Sequence, residues 1–330
     1  MSSIPRPLPA SLGESFACGE ALARGVTARR LRAADLERPF RGARLRRHEP
    51  DSPRPETSSD PLELDRRIRS ALLRRVRAYA TVAPAGAFFV GPAALALHDL
   101  PLRPGWDRAP LTVGIHPPLH APRGRDVHGV KVSPYLARIT DVGGLRVADA
   151  ASSWALAGAT LDVDALVVLG DAIVRIPRDD RGRSRPEWQK ARIEDLRAAA
   201  FVPWRRGRAG LLDALEFIRV GSMSPLESEF RVLVTRAGLP EPELDVEIYD
   251  EHGRRIGISD AVYREAGVIV EVEGRHHATD DRQWHRDLDK YAALAAAGWE
   301  VVRVTARHIR GEQPRAAEIV RAALLRHPLR

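Results

Sequence analysis

Cysteine is nearly absent from this sequence, because Cys18 is the only one among 330 residues. One cysteine excludes a disulfide framework and a cysteine-ligated zinc site, and it predicts a reducing, cytoplasmic setting. Lysine is also scarce: Lys131, Lys190 and Lys290 are the only three, so 49 of the 52 basic residues are Arg. A GC-rich genome produces the same Arg bias, so the net charge of +8 does not by itself indicate nucleic acid.

Long uncharged segments are also few. Residues 79–97 are the one stretch long enough to raise the question of a membrane span. Pro84, Gly86, Gly91 and Pro92 interrupt this stretch, which predicts a buried strand, turn and helix instead of a span. The sequence contains no Walker A loop and no G-x-G-x-x-G, G-x-S-x-G or H-E-x-x-H motif. These absences exclude several common nucleotide-binding, hydrolase and metalloprotease sites.

An apolar content of 44% and a charged content of 29% are typical of a globular protein. The pattern alternates helical and strand-like stretches and predicts an α/β chain in four parts. We predict a basic segment over residues 1–50, a linker over 51–61, a middle α+β region over 62–220 and a last domain over 221–330. In the middle region we predict helices over residues 62–79, 147–158 and 163–173, and strands over residues 111–115 and 130–132.

The basic segment has the pattern of a small winged helix-turn-helix. A helix over residues 14–24, a turn at 25–26 and Thr27 as the N-cap of a helix over 28–36 precede a strand or wing. The residues then predicted to contact DNA are Arg29, Arg30 and Arg32 on the second helix, and Arg41, Arg44, Arg46 and Arg47 on the wing. The alternative is a solvated, Arg-rich surface.

The region 224–310 is acidic, with 17 acidic and 12 basic residues. Its periodicity predicts the order α-β-β-β-α-β. The helices begin at Ser224 and at about Arg282, and the strands cover residues 244–249, 255–262, 268–272 and 300–304.

Three carboxylates occupy the central strands of this region. Asp260 lies within the second strand, and Glu271 and Glu273 lie two residues apart at the end of the third, which places them on one face. Oxygen ligands from two neighbouring strands can hold Mg²⁺ or Mn²⁺ and leave positions open for water and phosphate. The spacing therefore predicts a metal-dependent phosphodiesterase site. A solvent-exposed acidic strand end is the alternative for the two glutamates.

Other polar residues have two interpretations. Glu227 follows Ser224 by three residues and fits either the active site or a capping box. His276 and His277 fit either a catalytic role near the phosphate or a polar loop. For Asp287, Lys290 and Arg303 we favour a structural, helix-to-strand ion-pair set over substrate contacts.

Several motifs in this region resemble a known family: SPLES (224–228), the strand residue Asp260, EVEGRHH (271–277), the D-x-x-K of Asp287 and Lys290, and GWEVVRVT (298–305). They are similar to bacterial domains related to the very-short-patch-repair endonuclease, within the PD-(D/E)XK restriction-endonuclease-like superfamily. PFRGARLRR, FFVGPAALALHDLPL and GLRVADAASSWALA resemble regions of actinobacterial proteins that are similar to abortive-infection type IV antitoxins.

The resemblance implies a restriction-endonuclease-like fold and a cytoplasmic DNA endonuclease, with Asp260 as the central metal ligand and Glu271 as the second carboxylate. Glu273 occupies the position of the superfamily's lysine, so a metal, His276 or His277 is expected to supply the role of that lysine. The expected partners are duplex DNA, and a second copy of the chain or a toxin or other phage-defence protein, with no membrane. The rival interpretation is a non-enzymatic, antitoxin-like DNA-binding regulator with a degenerate nuclease domain.

Overall fold

The computed structural model of the protein describes residues 6–47, 61–274 and 281–327. In these residues the chain is mixed α/β, and its strands form three sheets. The chain divides into two compact units, residues 1–156 and 157–330. The boundaries expected from the sequence, at residues 50, 61 and 220, stay predictions. No helix of the described part is long and apolar enough to cross a membrane.

The first unit begins with a small antiparallel sheet. Strand β1 (Ser15–Ala17) leads directly into helix α1 (Cys18–Ala23), so the helix predicted over residues 14–24 begins only at Cys18. Strands β2 (Leu36–Glu37) and β3 (Ala43–Arg46) complete the sheet in the order β1-β3-β2. Its small core consists of Leu12, Phe16, Ala21, Val26, Leu31 and Leu36.

The second helix predicted for the N-terminal segment, over residues 28–36, is wrong. Only one 3-10 turn forms there, Arg30–Arg32. The N-cap of this turn is Arg29 and not Thr27, although Thr27 Oγ1 accepts the N–H of Arg30 at 3.2 Å. The Nε of Arg44 donates to the carbonyl oxygen of Leu31 at 2.7 Å, and so occupies an acceptor that a longer helix would use for its own backbone.

The rest of the first unit is a six-stranded mixed sheet with its helices. The order of the strands across the sheet is β6-β7-β5-β4-β9-β8. The charge-free stretch forms β4 and α3, as predicted, and α2 and β5 confirm the predicted helix over 62–79 and strand over 111–115. The elements are α2 (Pro61–Ala80), β4 (Phe88–Phe89), α3 (Pro92–Leu97), β5 (Leu111–Ile115), β6 (Arg123–Gly124), β7 (Val127–Lys131), β8 (Ile139–Val142), β9 (Leu145–Ala148) and α4 (Ala150–Ala157).

The second unit contains helices followed by a four-stranded sheet. The order α-β-β-β-α-β predicted for residues 224–305 is confirmed by α8, β10, β11, β12, α9 and β13. The elements are α5 (Val163–Val174), α6 (Ile193–Phe201), α7 (Arg208–Phe217), α8 (Pro225–Arg236), β10 (Glu243–Tyr249), β11 (Arg255–Tyr263), β12 (Val268–Glu273), α9 (Asp281–Ala296), β13 (Glu300–Thr305), α10 (Ala306–Arg310) and α11 (Ala316–Arg326).

The four strands lie in the order β10-β11-β12-β13, with β12 and β13 parallel and the other pairs antiparallel. Alternate residues of β12 pack on opposite faces, as the two-residue period of a strand requires. Val268 and Val270 join the core formed with α8 and α11, whereas Ile269 packs in a separate cluster with Leu294 of α9. The sheet is therefore covered on both faces, and a polar side chain between the layers needs a partner.

Candidate active site

Two of the predicted carboxylates lie where strands β11 and β12 of the second unit separate, a point that we call the fork. Strands β11 and β12 are paired only from Ala261 with Val270 to Tyr263 with Val268. The next step of this register sets Asp260 opposite Glu271, where the paired part of the two strands ends. Glu271 lies close enough to Asp260 for its charge to raise the pKa of Asp260. The two carboxylates predicted from the sequence are therefore neighbours at the fork.

Asp260 lies close to two other carboxylates, those of Glu227 and Glu271. Its Oδ2 accepts the backbone N–H of Val272 at 2.7 Å, an amide that the fork leaves available. Burial raises the pKa of Asp260 well above its ordinary value, and the charges of Glu227 and Glu271 raise it further. The Val272 N–H and the charge of Lys290 oppose this effect. The ionised form of Asp260 is thus disfavoured in the folded protein.

Glu271 is buried, with 7% of its surface exposed, and it forms an ion pair with a lysine from a different element. The Nζ of Lys290 on α9 lies 2.8 Å from Glu271 Oε1 and 2.6 Å from the carbonyl oxygen of Ile258. Gly257 makes room for this side chain, since a Cβ at that position would lie 3.2 Å from Lys290 Cε. Lys290 therefore reaches the fork from α9 and forms a helix-to-strand ion pair, as favoured from the sequence, but with a partner, Glu271, that the sequence did not indicate.

Glu227 has the capping role that the sequence left open, whereas its role in an active site stays a prediction. The Oγ of Ser224 accepts the N–H of Glu227 at 3.2 Å, and Glu227 Oε2 accepts the N–H of Met223 at 2.7 Å. The residue therefore contributes to the N-terminal cap of α8. Burial raises the pKa of Glu227, and the charge of Asp245 adds to this rise. Glu227 is also one of the charges that act on Asp260.

The carboxylate of Glu273 has different hydrogen-bond partners from the carboxylate of Glu271. Its Oε1 accepts hydrogen bonds from the Nε of Arg303 and, at 3.4 Å, from the hydroxyl of Tyr291. The guanidinium of Arg303 lies 5.2 Å from the centre of the Tyr291 ring. This contact gives Arg303 the ion-pair role favoured from the sequence, whereas a role for Glu273 as a metal ligand stays a prediction.

The remaining predicted residues of this region are not described. His276 and His277 lie in the segment 275–280, outside the described residues, and the side chain of Asp287 also lies outside them. Their roles stay predictions.

The sequence analysis missed Asp245. The pairing of Leu244 with Ala261 and of Val246 with Ser259 sets Asp245 across from Asp260 on the other side of β11. Arg178 holds its carboxylate, with Nε at 3.0 and 2.8 Å from the two oxygens, and burial raises the pKa of Asp245. Its position within the apolar strand LDVEIY is the same signal that identified Asp260.

The side chains at the fork offer oxygen donors, which are the type of ligand that a hard divalent cation prefers. Asp260 and Glu271 offer carboxylate oxygens, the ligands that Mg²⁺ prefers. In the described part of the chain, no group of three or more His, Cys, Asp and Glu is arranged to hold a metal ion. Mg²⁺ commonly uses only one or two carboxylates together with water and substrate phosphates. In the chemistry of its oxygen donors, the pair is therefore compatible with Mg²⁺ or Mn²⁺.

The seven arginines predicted to contact DNA fall into two groups. Arg29, Arg32, Arg41 and Arg47 are exposed. Arg30, by contrast, pairs with Asp35 at 2.6 Å. Arg44 donates to Leu31, and Arg46 donates to the carbonyl oxygens of Leu12 at 3.1 Å and Gly13 at 3.3 Å. Three of the seven side chains thus stabilise the segment itself.

Comparison with known proteins finds two similar chains of Mycobacterium tuberculosis, "Uncharacterized protein Rv2248" of strain H37Rv and "Uncharacterized protein MT2308" of strain CDC 1551. Each is 31% identical over 132 residues, which are 40% of this chain and 48% of the relative. The chain thus spans about half the length of these curated relatives. No family model matches the chain, and no solved structure matches it. The geometry at the fork is therefore the basis for proposing a function.

Proposed function

We propose that the second unit is an endonuclease that hydrolyses DNA phosphodiester bonds with Mg²⁺ or Mn²⁺. One observation carries this proposal: Asp260 and Glu271 are opposed at the fork of β11 and β12, and the Lys290 ammonium lies 2.8 Å from Glu271. Two carboxylates that can hold a metal ion, with an ammonium beside them, fit metal-assisted hydrolysis of a phosphodiester.

The fold supports the same proposal. We infer that α8, β10, β11, β12, α9 and β13 form a restriction-endonuclease-like core, because their order and the mixed pairing of β10-β11-β12-β13 agree with the sequence resemblance. The resemblance to the domains related to the very-short-patch-repair endonuclease supplies the substrate class, DNA. Fold alone would not specify it.

The proposed chemistry distributes charge among three side chains. Asp260 and Glu271 would hold the cation, which when bound polarises a phosphoryl oxygen and makes water more acidic. An ammonium has three N–H donors, and Lys290 uses two of them on Ile258 and Glu271. Its third donor would stabilise the negative charge that develops on the scissile phosphate. Lys290 thus supplies the lysine that the position of Glu273 lacks.

A second candidate, the antitoxin-like DNA-binding regulator, is favoured by a specific observation. Lys290 and Arg303 already pair with Glu271 and Glu273 in the structure. In a degenerate site such ion pairs would replace the metal and leave a domain that only binds partners. This candidate predicts no cleavage and no response to divalent ions.

Cleavage assays with the full chain test the two candidates. The substrates are supercoiled plasmid, a mismatched duplex and single-stranded DNA, each with Mg²⁺, Mn²⁺ or excess EDTA. We expect cleavage of DNA only with a divalent ion, and a loss of several orders of magnitude in Asp260→Asn, which keeps the side-chain size but removes the charge. Asp213→Asn is the matched control, because Asp213 is an exposed carboxylate of α7.

Cleavage that persists in EDTA, or an Asp260→Asn protein as active as the Asp213→Asn control, contradicts the metal-dependent proposal. A wild type that cleaves none of the substrates and whose melting temperature ignores both ions supports the regulator.

A further inference from the structure

A basic hollow lies at one edge of the six-stranded sheet of the first unit. It has a volume of about 490 Å³ and is lined by His120, Ala121, Arg123 and Lys131. Strand β6, which carries Arg123, is the edge strand of this sheet, and β7, which carries Lys131, is its neighbour. Three of the four lining residues can carry positive charge, and none is acidic.

A glycine allows the hollow to form. The chain around Pro122 crosses β7 at Gly129, where an added Cβ would lie 2.1 Å from the carbonyl oxygen of Pro122. Any side chain at this position would force the two segments apart. Lys131 is fixed by the pairing of β7 with β5, and Arg123 by its position opposite His128 in the β6–β7 hairpin. The pairing of the strands therefore fixes the backbone positions of Arg123 and Lys131 at this end of the sheet.

The cations of the hollow are available to a ligand. His120, Arg123 and Lys131 are exposed. In the part of the chain that the structure describes, no Asp or Glu lies within ion-pair distance of Arg123 or Lys131. Arg30 and Arg46 of the same unit differ in this respect, since an acidic side chain or backbone oxygens already bind their guanidinium groups.

We propose that this hollow binds phosphate groups of a nucleic-acid backbone. Concave surfaces lined by charge of one sign concentrate the oppositely charged partner. The exposed His128 and Arg125 belong to the same hairpin and extend the basic surface beyond the size of one phosphate, although Arg125 also contacts Asp126 at 3.7 Å. A polyanion therefore fits this surface better than a single small anion. The proposal is independent of cleavage at Asp260, because it concerns binding by the first unit.

Charged residues on a short edge strand also have a purely structural role, because they prevent two sheets from pairing edge to edge. Removal of the charge distinguishes the two roles. Loss of edge protection would increase self-association and leave DNA binding unchanged. Loss of phosphate contacts would lower the affinity for DNA and make this affinity less dependent on salt. The protein would stay monodisperse.

The test uses the full chain in a buffer with EDTA, so that binding is measured without cleavage. A fluorescent 20-base-pair duplex is titrated at several salt concentrations with the wild type, Arg123→Gln/Lys131→Gln, and the control Arg146→Gln. Arg146 is an exposed arginine on β9 of the same sheet. We expect the double variant to bind more weakly, with the slope of log Kd against log salt reduced by about 1.8, or about 0.9 for each phosphate lost. The control should keep the slope of the wild type.

Two results would overturn the proposal. One is a double variant with the affinity and salt slope of the wild type, whether or not it self-associates. The other is competition by deoxyadenosine monophosphate at the same concentration of phosphate as the duplex, which would indicate a site for a single phosphate. A protein that binds through this hollow but cleaves nothing would leave the inference intact and contradict only the proposed nuclease function.

Discussion

The ammonium of Lys290 lies 2.8 Å from the carboxylate of Glu271, although the two residues belong to different elements, α9 and β12. A lysine next to a carboxylate at the end of a strand can stabilise a transition state or neutralise an abandoned metal site. The variants of this pair distinguish the two roles, because the first predicts a loss of cleavage and the second predicts only a loss of stability.

Lys290→Met should lower the rate of DNA cleavage by about 10²- to 10³-fold, the usual effect of removing one donor to a developing oxyanion. The affinity for Mn²⁺ should stay the same or rise, because the cation that competes for Glu271 is gone. Cleavage kinetics and calorimetric titration with Mn²⁺ measure the two effects, with Lys190→Met as a control for loss of an exposed lysine. A variant that loses metal affinity and melting temperature but keeps its cleavage rate would contradict the catalytic role.

Asp260 should make stability depend on pH in a direction unusual for a carboxylate. Its folded-state pKa is raised by burial and by Glu227 and Glu271, so the folded protein holds this proton more tightly than the unfolded chain. The contribution of Asp260 is therefore fully present below about pH 4, the unfolded pKa, and is lost as pH rises through the folded pKa. Asp260→Asn should melt at a higher temperature than the wild type at pH 7.

The gain in melting temperature from Asp260→Asn should be smaller at pH 5 than at pH 7. Millimolar Mg²⁺ should stabilise the wild type but not the variant, because only the wild type offers both carboxylates. Thermal unfolding at the two pH values, with and without the ion, measures each effect. An Asp260→Asn protein that melts below the wild type at pH 7 would contradict the charge environment described for this residue.

Much of the fold could be predicted because its signals are local. The N-cap of helix α5 is Asp162, which directly precedes the helix in the sequence. Strand β5 coincides with the short, mainly apolar stretch from Leu111 to Ile115. The N-terminal segment differs because its predicted second helix rests on Thr27 and good helix formers alone. The guanidinium of Arg44, which takes the carbonyl of Leu31, comes from 13 residues away. Tertiary contacts of this kind override helix propensity and have no signature in the local sequence.

The candidate site shows the same limit. Asp260 and Glu271 could be predicted because an acidic residue within an apolar strand needs a partner. The partner of Glu271 could not, because it depends on how α9 packs over Gly257 and on the fork between β11 and β12. Asp245 has the same local signal as Asp260, an acidic residue within an apolar strand. The local sequence does not indicate, however, that Asp245 lies beside the fork. The register of β10 and β11, which sets the two residues across from each other, is a property of the folded sheet.

Glu271 and Glu273 should differ in their effect on metal binding. Glu271→Gln removes an anionic ligand from the fork and should weaken Mn²⁺ binding about tenfold or more. Glu273→Gln should have a smaller effect, because the carboxylate of Glu273 is occupied by Arg303 and Tyr291. Electron paramagnetic resonance of free Mn²⁺ measures both affinities, with Glu265→Gln as an exposed control. Equal losses in the two variants would support Glu273 as a second ligand, as the sequence predicts.

The arginines of the N-terminal segment should separate into binding and structural residues. Arg29→Gln and Arg41→Gln remove exposed cations and should weaken binding to every duplex while leaving the melting temperature unchanged. Arg46→Gln should instead lower the melting temperature, because it leaves the carbonyl oxygens of Leu12 and Gly13 without their donor. Fluorescence anisotropy and thermal unfolding of the full chain compare the three. Unchanged DNA affinity in Arg29→Gln/Arg41→Gln would remove this segment from the DNA-binding surface.

A fully buried ion pair joins α5 to α8. Its two residues lie on opposite sides of the domain boundary that the sequence predicts at residue 220. Arg231 Nη2 lies 2.7 Å from Asp171 Oδ2, and neither side chain is exposed. Burial raises the pKa of Asp171, whereas the charge of Arg231 and the backbone N–H of Arg219 lower it. Removal of one partner leaves an uncompensated buried charge, which costs about 3–5 kcal/mol. Helix α8, which carries Glu227, therefore depends on a residue that precedes the predicted nuclease domain.

The fragment 221–330 should accordingly be far less stable than the fragment 157–330, because it exposes Arg231 and lacks Asp171. In the full chain, Arg231→Met should lower the free energy of unfolding by about 3–5 kcal/mol. Asp171→Leu/Arg231→Met should lose less than Arg231→Met, since no buried charge of this pair remains, and its loss should come from the N–H of Arg219, which no longer has Asp171 as its acceptor. Urea unfolding followed by circular dichroism measures these differences. If the fragment 221–330 unfolds at the same urea concentration as the fragment 157–330, the pair does not contribute to the stability of the sheet. Residues 221–330 would then fold as an independent domain, as the sequence predicted.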